Sequence, residues 1–262
     1  MDAVFEEIYK NNYGRLYTLA FRMTGSREDS EDILQTSFLN AYKSFSDFRN
    51  SSSVYTWLYR IVVNTAKKYS MKQARLPVDE YAENTNVTKQ EVFDHINSFG
   101  RVEDTVLVSM TRETCLQMFM NCMPPLYRTV YTLRVMLDFS VRETAEILEM
   151  SESAVKVNLH RARKAAQEHI DGRCSLIHPG AMCDCRSFTG YLVESGKTYK
   201  LCSIETVRER EKAAVKKYNS EISVLRKIDL LYKNRIKPPD YGNFIKSIKA
   251  LLNDRDFTLL QT

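Results

Sequence analysis

Seven polar or basic side chains lie on the outward face of one predicted helix, between residues 152 and 167. They are Ser153, Lys156, Asn158, His160, Arg161, Arg163 and Lys164. Lysine and arginine can neutralise the phosphates of a nucleic acid, and asparagine, arginine and lysine can also form hydrogen bonds with base edges. The face therefore predicts contact with DNA, with a solvated surface on an ordinary helical hairpin as the alternative.

Four of the six cysteines lie close together in the sequence, near one histidine. They are Cys174, Cys183, Cys185 and Cys202, and the histidine is His178. Thiolate and imidazole are ligands that zinc prefers, so the four cysteines are a candidate structural zinc site. Their spacing is not that of a common zinc finger. A redox-sensing set of thiols and buried cysteines without a metal therefore stay open as alternatives.

The elements that would position the basic face are two short helices joined by a three-residue turn. Ser140 with Glu143 fits a capping box that opens the first helix, and Ser151 can cap the second. Their buried sides consist of apolar residues at helical spacing: Ala145, Ile147, Leu148, Val155, Leu159 and Ala162. This arrangement is typical of a helix-turn-helix, whose second helix can enter the major groove of DNA.

Composition favours a helical protein without a membrane-spanning segment. The 262 residues include eight glycines and six prolines, which are few for the tight turns of a β-rich fold. No apolar run approaches the roughly 18 residues that a membrane helix needs, and residues 1–10 do not resemble a secretory signal. We therefore expect an all-α protein in the cytoplasm. The net charge of +5 is compatible with a nucleic-acid partner but does not establish one.

Hydrophobic periodicity divides the chain into two small helical domains and an extension. Apolar residues recur at spacings of three and four through residues 1–75 and again through 106–170. Between them, residues 76–105 hold seven acidic and two basic side chains and show little periodicity. This predicts a flexible acidic linker with a short helix near 90–96. Residues 171–262 form a C-terminal extension that contains cysteines and then shows helical patterns at 204–235 and 237–262.

Two separated parts of the chain resemble the bacterial sigma factors. Residues 29–39, DSEDILQTSFL, and 55–64, YTWLYRIVVN, are similar to the D-A-E-D-L-x-Q-x-x-F-L and F-x-x-W-L-x-R-I-A-x-N patterns of sigma region 2. Residues 154–163, AVKVNLHRAR, resemble the T-V-K-x-x-L-x-R-A-R pattern of region 4, and 123–128, MPPLYR, its L-P-x-x-x-R segment. The resemblance covers residues 5–170. Because the gap between the regions is too short for a third sigma domain, the chain resembles the compact extracytoplasmic-function group.

The resemblance implies a protein that binds core RNA polymerase and directs it to specific promoters. Region 2 would bind the polymerase and melt the minus-ten element, and the helix-turn-helix of region 4 would read the minus-thirty-five element through the seven residues of the basic face. The residues implied for polymerase binding are Asp29, Asp32, Leu34, Gln35 and Phe38. Those implied for the minus-ten element are Arg49, Tyr55, Trp57, Arg60, Asn64, Lys67 and Lys68. Aromatic rings there can stack on unpaired bases while cations hold phosphates. The acidic linker would run through the RNA-exit path of the polymerase, and the family also allows for an anti-sigma factor as a partner.

Three residues depart from the family pattern. Lys68 stands where an aspartate is common, and Asn158 stands where an arginine is common. Glu149 occupies a turn position that is usually glycine. Because a non-glycine residue with positive φ costs energy, we expect the turn to take another form.

Two other functions are weighed against this one. A stand-alone helix-turn-helix regulator would explain residues 140–163 but would leave the motifs at 29–39 and 55–64 without a role. An enzyme, such as a metal-dependent nuclease, would need a phosphate loop, a nucleophile–base pair or a His-Glu metal motif, and the sequence has none. We therefore predict a non-enzymatic protein that requires no cofactor. We further hypothesise that the extension regulates the sigma regions by packing on them or by stabilising the polymerase complex.

Overall fold

Helices account for almost all of the regular structure of the protein. The computed structural model describes residues 3–46, 48, 53–69, 73–196, 206–207, 224–233 and 235–253. Within these residues, strands β1 (Thr206–Val207) and β2 (Arg235–Ile236) form one short antiparallel pair, and the other regular elements are helical. The predicted all-α class is confirmed.

The N-terminal unit consists of three helices: α1 (Ala3–Thr24), α2 (Arg27–Ser44) and α3 (Val54–Ala66). Gly25, with a φ of 75°, makes the tight turn between the first two. The Ser26 hydroxyl caps α2 by accepting a hydrogen bond from the Asp29 amide, and the Ser53 hydroxyl caps α3 through the Thr56 amide. These caps fix where α2 and α3 begin and therefore which of their residues face outward.

The segment predicted to be a flexible linker contains two short helices instead, α4 (Pro77–Thr85) and α5 (Lys89–Asn97). The second includes the helix predicted near residues 90–96. Asn86, in the left-handed conformation with a φ of 55°, ends α4, and a capping box between Thr88 and Glu91 begins α5. Local capping therefore orders a segment whose acidic composition alone predicts flexibility.

The second unit contains the predicted helix-turn-helix. Its helices are α6 (Thr105–Asn121), α7 (Pro125–Tyr131), a π-helix (Thr132–Met136), α8 (Val141–Leu148) and α9 (Glu152–Ile170). Ser140 and Glu143 form the predicted capping box at the start of α8. The Ser151 hydroxyl accepts a hydrogen bond from the Ala154 amide at the start of α9. Both predicted caps are confirmed, and they place α8 and α9 as the two helices of the motif.

The turn between α8 and α9 keeps the left-handed conformation without a glycine. Glu149 has a φ of 55° and a ψ of 46°, so the expectation that the turn would take another form is wrong. The Ala145 carbonyl accepts hydrogen bonds from the amides of Glu149 and Met150, which completes the end of α8. The left-handed conformation costs a non-glycine residue roughly 1–2 kcal/mol, so the turn is strained.

Replacing Glu149 by glycine is expected to raise the free energy of unfolding by about 1 kcal/mol, because glycine relieves this strain. The substitution also removes the ion pair between Glu149 and Arg60, whose charged atoms are 3.8 Å apart. This pair is largely exposed and contributes little to stability. Urea unfolding of the full chain measures the change. Glu149→Ala is the matched control, since it removes the same ion pair and keeps the strain. Equal stability of the two variants would exclude the backbone explanation.

The described part of the C-terminal extension contains three helices: α10 (Cys185–Glu194), α11 (Val224–Tyr232) and α12 (Tyr241–Asn253). Of the helix predicted over residues 204–235, the described residues show only α11 near its end, and residues 206–207 form β1. The tail predicted over 237–262 is present as α12. Residues 208–223 and 254–262 lie outside the described part of the chain.

The helix α10 packs on α5 and α6 and thereby connects the extension to the segment that was predicted to be a linker. Phe188 and Tyr191 of α10 cover a small apolar cluster that includes Val92 of α5. Gly190 passes so close to Gly100 that a Cβ added to it would collide with the Gly100 carbonyl oxygen. The apolar faces of α4 and α5 are thus completed by a helix far along the chain.

The two units share one hydrophobic core and do not stand apart. Between α1 and α6, Arg22 and Glu113 form an ion pair at 3.5 Å, and both side chains are almost fully buried. Arg22 also donates to the Gln117 amide oxygen at 3.0 Å. Arg128 of α7 donates to the Met23 carbonyl at 2.6 Å. These contacts hold the two units in one orientation, which we call the closed arrangement.

Candidate nucleic-acid interface

Five of the seven residues predicted to contact DNA are exposed along α9. They recur about once per helical turn: Ser153, Lys156, His160, Arg161 and Lys164. The opposite side of the helix packs against α7 and α8, and it buries Val155, Leu159 and Ala162. The helix-turn-helix therefore presents a polar and basic surface, which we call the recognition face.

The other two predicted residues are placed differently. Asn158 is 9% exposed, and its side-chain amide donates to the Ala154 carbonyl at 2.8 Å, so it is satisfied within its own helix. Arg163 is half-buried at the edge of the recognition face, where its guanidinium donates to Asp229 at 2.7 and 3.1 Å. Of the seven residues predicted to contact DNA, five are therefore exposed, Arg163 is engaged by Asp229 and Asn158 is bonded within its own helix. DNA contact by these residues stays a prediction.

Asp229, on α11, is a residue of this site that sequence reasoning missed. Its carboxylate also accepts a hydrogen bond from the Tyr131 hydroxyl at 2.8 Å. Burial raises the pKa of Tyr131 well above its usual range, and the neighbouring Asp229 adds to the shift. Asp229 lies 66 positions after Arg163 in a segment rich in charges of both signs, so no local pattern distinguishes it.

Three residues predicted for the minus-ten element lie on one side of α3 at spacings of three and four, and two more follow directly after the helix ends: Trp57, Arg60 and Asn64, then Lys67 and Lys68. We call these five residues the α3 face. The last three are exposed, and the Lys67 ammonium donates to the Asn64 side-chain oxygen at 3.2 Å. Tyr55 is 51% exposed but stands two residues before Trp57, so it points in another direction. Arg49 lies outside the described residues.

Two residues of the α3 face are engaged within the protein. Arg60 donates to the Glu146 carbonyl on α8 through two nitrogens, at 2.7 and 3.1 Å. The half-buried Trp57 ring packs on Phe48 and Phe45, with centroid distances of 5.0 and 6.3 Å. The α3 face therefore contacts the helix-turn-helix. In the closed arrangement, the two predicted DNA-binding surfaces lie on units that touch each other.

The residues predicted to bind the polymerase are divided between the surface and the core of the N-terminal unit. Asp32 is exposed, and Asp29 and Gln35 are half-buried on the outer side of α2. Leu34 and Phe38 lie on the inner side of α2, which packs against α1, and both are fully buried. The prediction for these two is corrected: they support the helix from inside and do not form its surface.

The last described helix, α12, lies beside this outer side of α2. Its Phe244 ring meets the Phe38 ring edge-on at 5.8 Å. A cavity between the two helices is lined by Asp32 and Gln35 on one side and by Asn243 on the other. The extension thus stands next to the predicted polymerase surface.

The cysteines predicted to bind zinc are partly brought together. Cys174 and Cys183 form a backbone bridge, and Cys185 is the first residue of α10. Cys115 of α6 also lies near these cysteines, although the sequence did not predict it as part of the group. Its pKa is raised by burial and then by the three neighbouring thiols. It could not be selected from the sequence because it lies in an apolar helical pattern. Cys202 lies outside the described residues.

Burial keeps these thiols protonated. It raises the pKa of Cys174 to about 11 and that of Cys183 to about 12, which disfavours a redox sensor because such a sensor needs an accessible thiolate. His178 pairs with Asp171 and does not join the cysteines. Among the residues that the structure describes, no group of three or more cysteine, histidine or acidic side chains is arranged to hold a metal. Zinc stays a prediction.

Two family models match the chain, Sigma-70 region 2 at residues 8–76 and Sigma-70, region 4 at residues 113–165. The chain is 34% identical over 145 residues to the ECF RNA polymerase sigma-E factor of Haemophilus influenzae, covering 55% of this chain and 76% of that protein. It is 30% identical over 165 residues to the ECF RNA polymerase sigma factor SigW of Bacillus subtilis, covering 63% and 86%. The extension lies beyond both family matches.

Among solved structures, the chain is similar to the sigma factor RpoE of Bartonella quintana, which was solved in complex with the anti-sigma factor NepR. The TM-score is 0.43 and the identity 16%, over 64% of this chain and 97% of that one. In the described residues, no helix has the length and apolar character needed to cross a membrane.

Proposed function

This chain belongs to the extracytoplasmic-function sigma factors of the sigma-70 family, and on that premise we propose how its residues divide the work of initiation. A member of this family directs RNA polymerase to promoters. We assign the minus-thirty-five element to the recognition face of α9 and the minus-ten element to the face of α3. The outer side of α2, with Asp29, Asp32 and Gln35, is assigned to core polymerase.

The observation that carries this assignment is the recognition face. In a helix-turn-helix, the first turns of the second helix contact base edges. Ser153 and Lys156 occupy those turns and are exposed. Arg161 and Lys164 lie farther along α9, where cations contact phosphates. Asn158 has no base-reading role in this proposal, because its amide is bonded to its own helix.

The face of α3 suits separated strands more than duplex DNA. Trp57 offers an aromatic ring for an unpaired base, and Lys67 and Lys68 offer cations for the backbone. A stand-alone duplex-binding regulator would have no use for such a face. We therefore favour strand separation at the minus-ten element.

The closed arrangement cannot serve both elements at once. As their names state, the elements lie about 25 base pairs apart, which is about 85 Å of duplex at roughly 3.4 Å per base pair. In the protein, α3 touches α8 through Arg60 and Glu146. Promoter binding therefore requires the two units to separate, and we propose that core polymerase holds them apart.

The partners of the protein are core RNA polymerase and promoter DNA. We expect the protein to act by binding, without catalysis, and to work in the cytoplasm, where bacterial transcription takes place. An anti-sigma factor stays a predicted partner.

Transcription in vitro tests the proposed function. The purified chain is mixed with bacterial core RNA polymerase and a DNA fragment that carries its own upstream region, and we expect specific initiation that depends on the chain. Lys156→Ala should lower promoter affinity about tenfold, since one lost base contact weakens binding by roughly 1–3 kcal/mol. Lys10→Ala, at an exposed position of α1, is the control with the same change in charge.

Initiation by the Lys10 variant together with weakened initiation by the Lys156 variant supports the assignment of α9. Equal initiation by both would contradict the role of Lys156. Duplex binding by a chain that does not associate with core polymerase would favour the stand-alone regulator.

A further inference from the structure

An anion site lies at the edge of the recognition face, where α7, α9 and α11 meet. Its donors are the Arg163 guanidinium and the Tyr131 hydroxyl, which both donate to the Asp229 carboxylate. The Arg163 side chain is 39% exposed and that of Asp229 is 16% exposed. The arginine therefore reaches solvent beside the residues assigned to DNA, while the carboxylate covers its inner side.

A second guanidinium stands next to this site. The pKa of Arg134, in the π-helix, is lowered first by burial and then by the charge of Arg163. Within the described residues, its Nε atom is buried without a hydrogen-bond partner. Asp138 and Glu143 also face Arg134, but Asp138 pairs with Lys233 at 3.2 Å and Glu143 is held by its capping box. Among the described acids near Arg163 and Arg134, Asp229 is therefore the one that pairs with Arg163.

We propose that this site takes a backbone phosphate of promoter DNA, and that Asp229 occupies it in the closed arrangement. The inference rests on the proposed function, because it places a phosphate beside the recognition face. A phosphate and a carboxylate offer the same chemistry to a guanidinium and a hydroxyl: adjacent acceptor oxygens that carry negative charge. The Asp229 carboxylate occupies the Nε and Nη2 donors of Arg163 and the Tyr131 hydroxyl, and its negative charge repels a phosphate. A phosphate that takes these donors must therefore displace Asp229.

The helix α11 is anchored firmly enough to compete with DNA. Ile228 and Tyr232 are buried to 1% and 0% exposure. The Tyr232 hydroxyl donates to the Leu116 carbonyl at 3.2 Å, and its ring meets the Tyr131 ring edge-on at 5.4 Å. Because Asp229 is carried on a docked helix, its effective concentration at Arg163 is high. The extension therefore acts as an inhibitor within the same chain, in competition with the phosphate backbone.

Asp229→Asn in the full chain tests this competition, because the amide keeps the size of the side chain and removes its charge. Affinity for a random-sequence duplex of about 20 base pairs, measured by fluorescence anisotropy at low salt, is expected to rise about tenfold. Glu7→Gln, at an exposed position of α1, makes the same change in net charge away from the site. Asp229→Ala is the second variant, should the asparagine not fold.

Arg163→Met shows whether the gain passes through the proposed donor. It should abolish the effect of Asp229→Asn in the double variant and reduce the slope of log affinity against log salt by about 1. A gain that also appears in Glu7→Gln, or that persists without Arg163, would overturn the anion site. Core-dependent transcription by the unaltered chain is measured in parallel. If the unaltered chain supports transcription but Asp229→Asn does not change DNA affinity, only the anion site is refuted. If the unaltered chain supports no transcription, the proposed function is refuted.

Discussion

Replacing Glu113 by alanine is expected to lower the free energy of unfolding by about 3–5 kcal/mol and to open the closed arrangement. Arg22 on α1 faces Glu113 on α6 at 3.5 Å, and both side chains are almost fully buried. Burial lowers the pKa of Arg22, and the charge of Glu113 opposes that shift. Without the carboxylate, a buried guanidinium would lose its counter-charge at the boundary between the two sigma regions.

Urea unfolding measures the loss of stability, and energy transfer between probes on α2 and α9 measures the opening. The double variant Arg22→Met/Glu113→Leu is the control, because apolar residues of similar size often replace a buried ion pair without loss. It should recover most of the stability that Glu113→Ala loses. A loss below about 1 kcal/mol in the single variant, the value of an exposed pair, would contradict this role.

Phe244→Ala is expected to release α12 from the N-terminal unit. The ring is 9% exposed and meets the rings of Tyr9, Tyr13 and Phe38 at centroid distances of 5.9, 4.9 and 5.8 Å. Truncating a buried phenylalanine costs about 3–5 kcal/mol. Because α12 is packed on one side only, we expect the helix to undock locally before the rest of the protein unfolds.

Hydrogen exchange of residues 241–253 measures this undocking. Affinity for core RNA polymerase should rise with it, because Asp32 and Gln35 would no longer border α12. Phe244→Leu is the matched control, since leucine keeps much of the apolar contact. Unchanged exchange in the alanine variant would show that the ring does not hold the helix. Faster exchange without tighter polymerase binding would separate α12 from the polymerase surface.

The helix-turn-helix could be predicted from the sequence because its signals are local. Ser140, Glu143 and Ser151 cap helices within three or four residues of themselves, and the apolar spacing of α9 determines which side is buried. The same spacing places Lys156 on the outside. Short-range hydrogen bonds and helical periodicity were therefore sufficient for this part of the site.

The engaged residues could not be predicted, because their partners are distant in the chain. Arg60 looks like a free cation until α8 supplies the Glu146 carbonyl, 86 positions later. Leu34 and Phe38 match a family motif, and only the packing of α2 against α1 shows that they are internal. The acidic segment before α6 needs α10 to complete its apolar cluster. Composition describes such a segment by itself, without the partner that orders it.

The helix α1 contacts segments that are synthesised last among the described residues. The Ile236 amide donates to the Thr18 hydroxyl, and the Tyr241 hydroxyl donates to the Glu6 carbonyl, across 218 and 235 positions. A ribosome adds about 5–20 residues per second, so residues 171–253 follow the helix-turn-helix by roughly 4–17 s. For those seconds the nascent chain has both sigma regions and lacks α11 and α12. The helix that carries Asp229 is therefore synthesised several seconds after the recognition face that we propose it inhibits.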